Sequence, residues 1–272
     1  TGPDNLYPKG GMHVFVERMK EQIEKKVRIY LKEGLKALKE SGDEYELTTT
    51  AENQFVASKL VLAIPKLALN KVSGDLVEAI RKAPQYEAIL PVPIVVINQL
   101  WDEAWWEKAH DPKNSEPSGQ VWRAWSNDSC VNHVEIPQEA YLAEREQRPT
   151  RSVYSDDPVC NQKWATLFKE KGVAGIEAEV LEGLAKVFGH PKHPIKIPKP
   201  RATTLHYWPA GWYYAHKSSK FSNAEIAEWS RQPLKAHPNL MLVGEGYWLD
   251  RPGWSEGAYF SADALIESKK LK

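Results

Sequence analysis

Two stretches of the chain carry apolar residues at the spacing of one helical face. The first stretch runs from Gly11 to about Lys25, and its apolar positions are Met12, Phe15, Val16, Met19 and Ile23. The second ends at Gly189, and its apolar positions are Val173, Ile176, Val180, Leu184 and Val187. Apolar residues that recur every three or four positions predict an amphipathic helix in each stretch.

Shorter patterns predict strands. Val27, Ile29 and Leu31 alternate with polar or aromatic residues, and two more strand-like segments flank the turn sequence Ser41-Gly42-Asp43. Together these segments predict a small meander. The segment 59–64, apolar from Leu60 onwards, and the apolar run 240–243 predict buried strands, and Pro65 ends the first segment. Residues 76–81 have a helical pattern.

Tryptophan is concentrated in the middle and later parts of the chain. There are 11 tryptophans in 272 residues. They include Trp101, Trp105 and Trp106, those of the strand-like segment 121–125, and those of the aromatic segment 203–214. This enrichment favours a substrate pocket or a large buried interface over a plain polar surface. The polar stretch from Pro137 to Pro158 is rich in Glu and Arg, which predicts a surface loop.

Composition excludes some classes of protein. Lysine plus arginine total 36, and aspartate plus glutamate also total 36. The chain therefore has no excess of basic residues that would suggest a nucleic acid partner. No apolar run approaches the ~20 residues that cross a membrane. Cys130 and Cys160 fit either one disulfide or two buried thiols, and the sequence leaves the cellular compartment open.

Candidate chemistry lies near the end of the chain. Glu245 stands where the buried strand 240–243 would emerge, and Gly253-Trp254-Ser255-Glu256-Gly257-Ala258 would open a helix shortly after it. Free backbone N–H groups and the positive dipole end of such a helix suit an anionic or electron-rich ligand group. Strand, acid, glycine, aromatic residue and helix together predict a ligand site.

This arrangement resembles the C-terminal flavin-binding signature of the flavin-containing amine oxidases, which include the L-amino-acid and monoamine oxidases. Other segments resemble landmarks of that family in the same order. They are the Gly10-Gly11-Met12 helix start, the strand that ends in Ala63-Ile64-Pro65, the Trp105-Trp106 pair, the helix at 181–189 and the Trp-rich strand at 201–214. The resemblance covers nearly the whole chain, but only the later part of such an enzyme.

The resemblance implies an α/β (α+β) fold with two domains. Residues 1–71 and 238–272 would form a partial FAD-binding domain, and residues 72–237 a substrate-binding domain with a mainly antiparallel sheet. The implied reaction is oxidative deamination. The flavin takes a hydride from the carbon that bears the amine, the imine is hydrolysed, and oxygen becomes hydrogen peroxide.

The resemblance also implies cofactor contacts. Glu245, with Gly244 beside it, matches the acid near the ribityl and phosphate portion of FAD. Gly253 and Trp254 match a turn and an aromatic residue next to the flavin ring. Ser255 and Gly257, with Glu256, would present the helix N-terminus to the pyrimidine end of the ring. Leu35 matches a position whose backbone contacts adenine, although the family usually has valine there and an ordinary core leucine is the competing interpretation.

Four aromatic residues match the lining of the substrate pocket: Tyr207, Trp208, Trp212 and Trp254. A packed sheet edge or a protein contact surface is the alternative interpretation of this segment. Arg123 and Arg201 are the candidates to pair with a substrate carboxylate. No catalytic residue can be assigned, and no metal is expected because His190 and His193 have no Cys or acidic partners at ligand spacing.

Two features depart from the family. The Gly-x-Gly-x-x-Gly turn that binds the dinucleotide pyrophosphate is missing, so we expect an N-terminal segment or a second polypeptide to supply it. Many amine oxidases also carry a lysine that holds a water near the flavin, on the strand that leads to the aromatic pair. Here that strand is residues 93–98, and a valine stands in its place.

Two functions therefore remain open from the sequence. The chain is either part of an FAD-dependent amine or L-amino-acid oxidase, or a non-catalytic, oxidase-like subunit of a larger protein assembly. We expect the chain by itself to be insoluble or unstable, because the missing half would leave apolar surface exposed.

Overall fold

The computed structural model describes residues 11–108, 123–126, 129–136, 148–189, 192, 194–268 and 270–271. The helices are α1 (His13–Ile23), α2 (Lys66–Leu69), α3 (Asp75–Arg81), α4 (Pro84–Ala88), α5 (Pro158–Phe188), α6 (Asn223–Ser230) and α7 (Ser255–Glu267). The strands are β1 (Leu35–Ser41), β2 (Glu44–Thr49), β3 (Gln54–Ala57), β4 (Leu60–Leu62), β5 (Ile89–Trp101), β6 (Arg123–Trp125), β7 (His133–Glu135), β8 (Arg148–Ser155), β9 (Ala202–Ala215) and β10 (Leu240–Leu242).

The chain divides into two compact units. Unit 1 contains Thr1–Ala88, Lys220–Trp248 and Ala258–Lys272, and unit 2 contains Ile89–Ser219 and Leu249–Gly257. Mixed helix and antiparallel sheet confirm the predicted α/β (α+β) class. The roles expected for residues 1–71 with 238–272 and for residues 72–237 stay predictions. In the described part of the chain, no helix is both long and apolar enough to cross a bilayer.

Unit 1 contains a three-stranded antiparallel meander with the order β1-β2-β3. Gly42, at φ +63°, forms the β1–β2 turn, where a positive φ favours glycine. The strand predicted at residues 27–32 is wrong, because this segment pairs with no described strand, and β3 completes the meander instead. Alternation gives a segment two unlike faces, but a strand also requires a neighbour that accepts its backbone hydrogen bonds.

The two apolar runs of the sequence pair with each other in unit 1. β10 runs parallel to β4, with Leu240 opposite Leu60 and Leu242 opposite Leu62. All three residues of β10 are fully buried, which confirms the prediction of a buried strand. Met241 and Val243 pack against Leu265 of α7, so the strand and the last helix share one core.

Unit 2 contains a five-stranded antiparallel sheet with the order β6-β7-β8-β5-β9. Its long central strand β5 pairs with β8 on one side and with β9 on the other. Val95 and Ile97 of β5 pack with Trp164, Ile176 and other apolar residues of α5 to form the core. α5 joins the predicted helix near residues 173–187 to an earlier segment, with non-helical φ and ψ at Gly172.

Two further sequence predictions meet the structure in unit 2. The polar stretch 137–158 is only partly described, and residues 148–155 form strand β8, so the predicted loop is wrong there. Buried Thr150, Ser152 and Val153 explain the strand, because one side of it faces the core. Cys130 and Cys160 form a disulfide with a Cα–Cα distance of 5.2 Å, which selects one of the two states that the sequence left open.

A carboxylate between two guanidinium groups connects three strands of this sheet. Glu135 of β7 stands opposite Arg123 of β6 and Arg151 of β8. Arg123 Nη2 donates to Glu135 Oε1 at 2.6 Å, and Arg151 Nη1 lies 2.9 Å from Oε2. The side chain of His133, followed by the two arginines, lowers the pKa of Glu135 to about 2, although burial opposes this. The ion pairs that connect β6, β7 and β8 therefore require an ionised Glu135.

Replacing Gly74 should destabilise unit 1. Gly74 has φ +118°, and a Cβ there would lie 1.9 Å from the carbonyl oxygen of Leu38 in β1. The segment cannot move away easily, because Leu38 N–H donates to Ser73 O at 2.9 Å. We expect Gly74→Ala to lower the free energy of unfolding by about 3 kcal/mol or more, as measured by thermal unfolding of the native protein.

Gly42→Ala is the matched control, because Gly42 also has a positive φ but nothing lies within 4 Å of its added Cβ. Gly42→Ala should lower the free energy of unfolding by only about 1 kcal/mol. Equal losses in the two variants would show that the approach to Leu38 is unimportant.

Glu135 should make stability fall in acid. Its folded pKa of about 2 is below the ordinary value of 4.5, so its contribution is complete above pH 4.5 and disappears as the pH falls towards 2. After allowance for solvent screening, Glu135→Gln should be less stable by about 2 kcal/mol at pH 7. The difference from the parent protein should close between pH 4.5 and 2, as followed by thermal unfolding at each pH.

The control is Glu182→Gln on the exposed surface of α5, which should show almost no such difference. A constant gap between the Glu135→Gln variant and the parent protein down to pH 2 would contradict this account.

Candidate functional site

The acid of the predicted cofactor motif lies directly after a buried strand, as the sequence suggested. β10 ends at Leu242, Gly244 adopts φ +145°, and Glu245 begins a short 3₁₀ turn that ends at Tyr247. The N–H of Gly244 donates to Ser261 Oγ of α7 at 3.2 Å. Ser261 is buried and was not singled out from the sequence, although a lone serine on the inner face of an apolar helix was the available signal. This bond fixes the end of the strand against the last helix.

The turn and helix of the motif also form as predicted. Gly253 has φ +78°, and α7 begins at Ser255. Trp254 is 62% exposed, and Ser255 and Glu256 are exposed as well, whereas Gly257 is buried. The first turn of α7 therefore presents polar groups and a positive dipole end to its surroundings.

The sheet of unit 2 separates the aromatic residues predicted to line a substrate pocket. Trp208 stands opposite Ile94, and Trp212 stands opposite Val92. The pairing of β5 with β9 has a register shift between Val92 and Ile94, so the alternation along β9 does not carry from Trp208 to Trp212. Tyr207 stands opposite Val95, which places Tyr207 on the other face from Trp208. The structure thus separates Tyr207 from Trp208.

The motif turn passes one of these aromatic residues. An added Cβ at Gly253 would lie 3.5 Å from Cγ of Trp212, so the Gly253-Trp254 turn passes against this ring. Trp208 is 55% exposed, which leaves its ring accessible. We call Trp208, Trp212 and Trp254 the aromatic surface. Aromatic rings can hold an alkyl amine by apolar contact and by cation–π attraction.

Val95 and Val96 stand on the strand for which the resemblance of the sequence implied a lysine. Val95 is fully buried and belongs to the core under α5. Val96 is half-buried and stands opposite His206, which shares a face of the sheet with Trp208. Neither side chain has a polar atom that could hold a water molecule. Only Val96 lies on the face that carries Trp208.

The remaining candidates lie elsewhere. Leu35 is the half-buried first residue of β1, where it stands opposite Thr49. Arg123 is bound to Glu135, and Nη1 of Arg201 lies 3.7 Å from Asp102 Oδ1. His190 and His193 lie outside the described residues. Among the residues that are described, no three His, Cys, Asp or Glu side chains form a group that could hold a metal ion.

Solved structures of about twice the length share this fold. A protein described as a protoporphyrinogen oxidase from Exiguobacterium sp. 255-15 matches 96% of this chain with 51% of its own, at 16% identity and a TM-score of 0.66. Cyclohexylamine oxidase from Brevibacterium oxydans IH-35A matches 95% with 53% of its own chain, at 12% identity and a TM-score of 0.63. Putrescine oxidase bound to putrescine matches 94% with 53%, at 14% identity and a TM-score of 0.60.

These likenesses show the fold, and the chain spans about half the length of each of these solved structures. No curated protein matches the sequence. The family model described as flavin containing amine oxidoreductase matches residues 1–264 of the 272. The chain therefore belongs to the flavin containing amine oxidoreductase family.

Proposed function

We propose that this chain is the substrate-binding and C-terminal FAD-binding portion of an amine or L-amino-acid oxidase. The observation that carries the proposal is the segment from Gly244 to Gly257, in which a buried strand ends at an acid and a turn of positive φ opens a helix. The family match over residues 1–264 supports FAD as the cofactor. The flavin supplies hydride acceptance, and the chain supplies binding and orientation.

Each part of this segment suits one portion of FAD. The carboxylate of Glu245 can accept hydrogen bonds from ribityl hydroxyls. The exposed start of α7 offers N–H groups and a partial positive charge, which favour the anionic, reduced form of a flavin ring. Ser261 would support the site indirectly, because it holds the backbone at Gly244.

The aromatic surface suits an amine substrate. Trp208, Trp212 and Trp254 offer large apolar faces, and binding against them would remove water from the carbon that loses the hydride. We do not assign Tyr207 to the same wall, because its position on β9 faces the other side of the sheet. The carboxylate of an amino acid substrate would need a cation other than Arg123, which is bound to Glu135.

A completing polypeptide segment is part of this proposal. α1 has no buried residue, and its apolar side chains at Met12, Phe15, Val16, Met19 and Ile23 are 47 to 69% exposed. Val27, Ile29, Tyr30 and Leu31 follow and are 39 to 69% exposed. We call these nine residues the apolar surface of unit 1. A patch of this size normally contacts another polypeptide.

We identify the occupant of the apolar surface as the dinucleotide-binding segment that this chain lacks. The matched solved structures contain about as much additional chain as the part that resembles this one. Residues 28–30, which form neither helix nor strand, also offer backbone groups that no described strand engages, so an added strand could pair there. The segment would be contributed by additional residues of the same polypeptide or by a second chain.

The valine at position 96 favours a second candidate function. Because Val96 cannot hold a water beside a flavin, the usual route to oxygen activation would be missing. In that case the fold serves as a non-catalytic subunit of a larger assembly. The two candidates differ in whether the native protein contains flavin and produces hydrogen peroxide from amines.

Replacing Glu245 should weaken flavin binding. We expect the native protein to show an absorption band near ~450 nm, and Glu245→Gln to raise the FAD dissociation constant about 10- to 100-fold because charge-assisted hydrogen bonds to the cofactor are lost. The measurement is a titration of the flavin-depleted protein with FAD, followed by flavin fluorescence.

Glu267→Gln, at the exposed end of α7, is the control and should bind FAD like the parent protein. A native protein without flavin would overturn the oxidase proposal and support the non-catalytic subunit. Flavin without hydrogen peroxide production from any amine or L-amino acid would restrict the function to cofactor binding.

The apolar surface of unit 1 should cause the isolated 272-residue chain to self-associate. Charges on this surface should prevent that association, so we expect the Val16→Glu/Met19→Glu double variant to be largely monomeric by analytical ultracentrifugation. Val159→Glu is the control, because Val159 is 76% exposed but lies on α5 in unit 2. It should self-associate like the parent chain. A monodisperse, cooperatively melting parent chain would remove the argument for a completing segment.

A further inference from the structure

A second pocket lies in unit 2, lined by none of the residues of the aromatic surface. It has a volume of about 680 Å³ and lies where the β6–β7 hairpin meets the start of α5. The disulfide between Cys130 and Cys160 links these two elements covalently at the edge of the pocket. The volume is within the range of small-molecule sites. The covalent link holds the two walls at a fixed separation.

Aromatic rings form one wall of this pocket. The rings of Trp125 and His133 are stacked, with centroids 5.0 Å apart and an interplanar angle of 13°. Tyr154 meets His133 edge-on at 5.7 Å. Trp125 remains 64% exposed, so a ligand can still reach its ring. Electron-rich rings of this kind attract cations, and two guanidinium groups already lie near them: Arg123 Cζ is 5.6 Å from the centroid of Trp125, and Arg151 Cζ is 5.6 Å from that of Tyr154.

Two carboxylates also line the pocket. Asp156 is exposed and makes no hydrogen bond or ion pair with any described residue. Asp157 caps α5 by accepting the N–H of Cys160 at its Oδ1 atom, which leaves Oδ2 for other donors. Burial raises the pKa of the Tyr154 hydroxyl, the charge of Asp156 raises it further, and the charge of Arg151 lowers it.

The cations near the pocket already have anionic partners. Lys163, at the rim, forms an ion pair with Glu179 of the same helix. Arg123 and Arg151 both bind the carboxylate of Glu135. None of these three side chains therefore neutralises Asp156 directly.

Several polar atoms of the lining remain for a ligand. Besides the two aspartates, Asn132 Oδ1 and His133 Nε2 are buried without a hydrogen-bond partner among the described residues, and His133 Nε2 lies 3.4 Å from Glu135 Oε1. A complementary ligand must donate hydrogen bonds, carry positive charge and tolerate contact with an aromatic ring. From this combination we propose that the pocket is a binding site for a small alkylammonium ion. Its ammonium group contacts Asp156 and Asp157, and its alkyl part lies against Trp125.

This site is independent of the proposed oxidase function. It uses no residue of the flavin motif, and its occupation requires neither FAD nor a completing segment. Its failure would leave the proposed function unaffected, and a protein without flavin would leave this site unaffected.

The test is a titration of the native protein with propylammonium chloride at constant ionic strength. The readout is the indole N–H resonance of Trp125 in protein labelled with ¹⁵N-tryptophan, assigned with the Trp125→Phe variant. We expect a saturable shift with a dissociation constant on the order of 1–10 mM, as for one solvent-exposed ion pair with a ring contact. No saturable shift at concentrations about tenfold higher would overturn the proposal.

Matched variants and a second ion test whether the Asp156 carboxylate and the N–H donors of the ligand contribute to binding. Asp156→Asn should weaken binding about fivefold or more, because the ligand loses its charged acceptor. Asp43→Asn makes the same change at an exposed turn of unit 1 and should leave binding unchanged. Tetramethylammonium has the charge but no N–H donor, so it should bind about fivefold more weakly than propylammonium. Unchanged binding in Asp156→Asn, or equal binding of the two ions, would overturn the proposal.

Discussion

The alternation of side chains along β5 is the constraint on which most of unit 2 depends. Val95, Ile97, Gln99 and Trp101 all point to one side of the sheet and are buried, while the residues between them are half-buried. Since β9 pairs with β5 along nearly its whole length, the same alternation is imposed on the Trp-rich strand. A shift of one residue in this pairing would move Trp208 to the core side and Tyr207 to the aromatic surface. The register thus decides which aromatic residues share the face of Trp208.

A chain of buried hydrogen bonds fixes that register. Trp101 Nε1 donates to Thr150 Oγ1 at 2.9 Å, Thr150 contacts Ser152 at 2.8 Å, and Ser152 donates to Gln99 Oε1 at 2.7 Å. On the other side of β5, Gln99 reaches Thr203 of β9 at 3.4 Å. Polar groups in a core are tolerated only when they are paired, so any other register would leave Gln99 and its partners unsatisfied. The network therefore disfavours any other register of β5 with its two neighbours, β8 and β9.

The sequence predicted elements that carry their own signal and missed those that depend on distant neighbours. The apolar run 240–243 specified a buried strand, and the Gly253-Trp254 turn before Ser255 specified a helix start. Residues 148–155 were expected to be a loop, because Arg148 and Arg151 hide the alternation, and only the pairing with β5 and Glu135 shows why these arginines fit a strand. The role of Ser261 and the separation of Tyr207 from Trp208 also required knowledge of which strands and helices meet. The disulfide state of Cys130 was left open for the same reason.

Residues 27–31 show how the proposed completion of the fold follows from ordinary energetics. Their alternation is that of a strand, yet no described strand pairs with them, and the helix before them buries none of its apolar face. An isolated helix of 11 residues is marginal in water, because the nucleation of a helix is unfavourable and its stability comes mostly from packing. The sequence has five apolar positions along the face of α1, counted from Met12 just before it, and three more in alternation after the helix. Both segments therefore have apolar side chains that packing against other residues would bury. One additional layer that offers a strand edge and an apolar face satisfies both requirements at once. The contrast between α1 and the fully buried β10 in the same unit therefore places the proposed completing segment against α1.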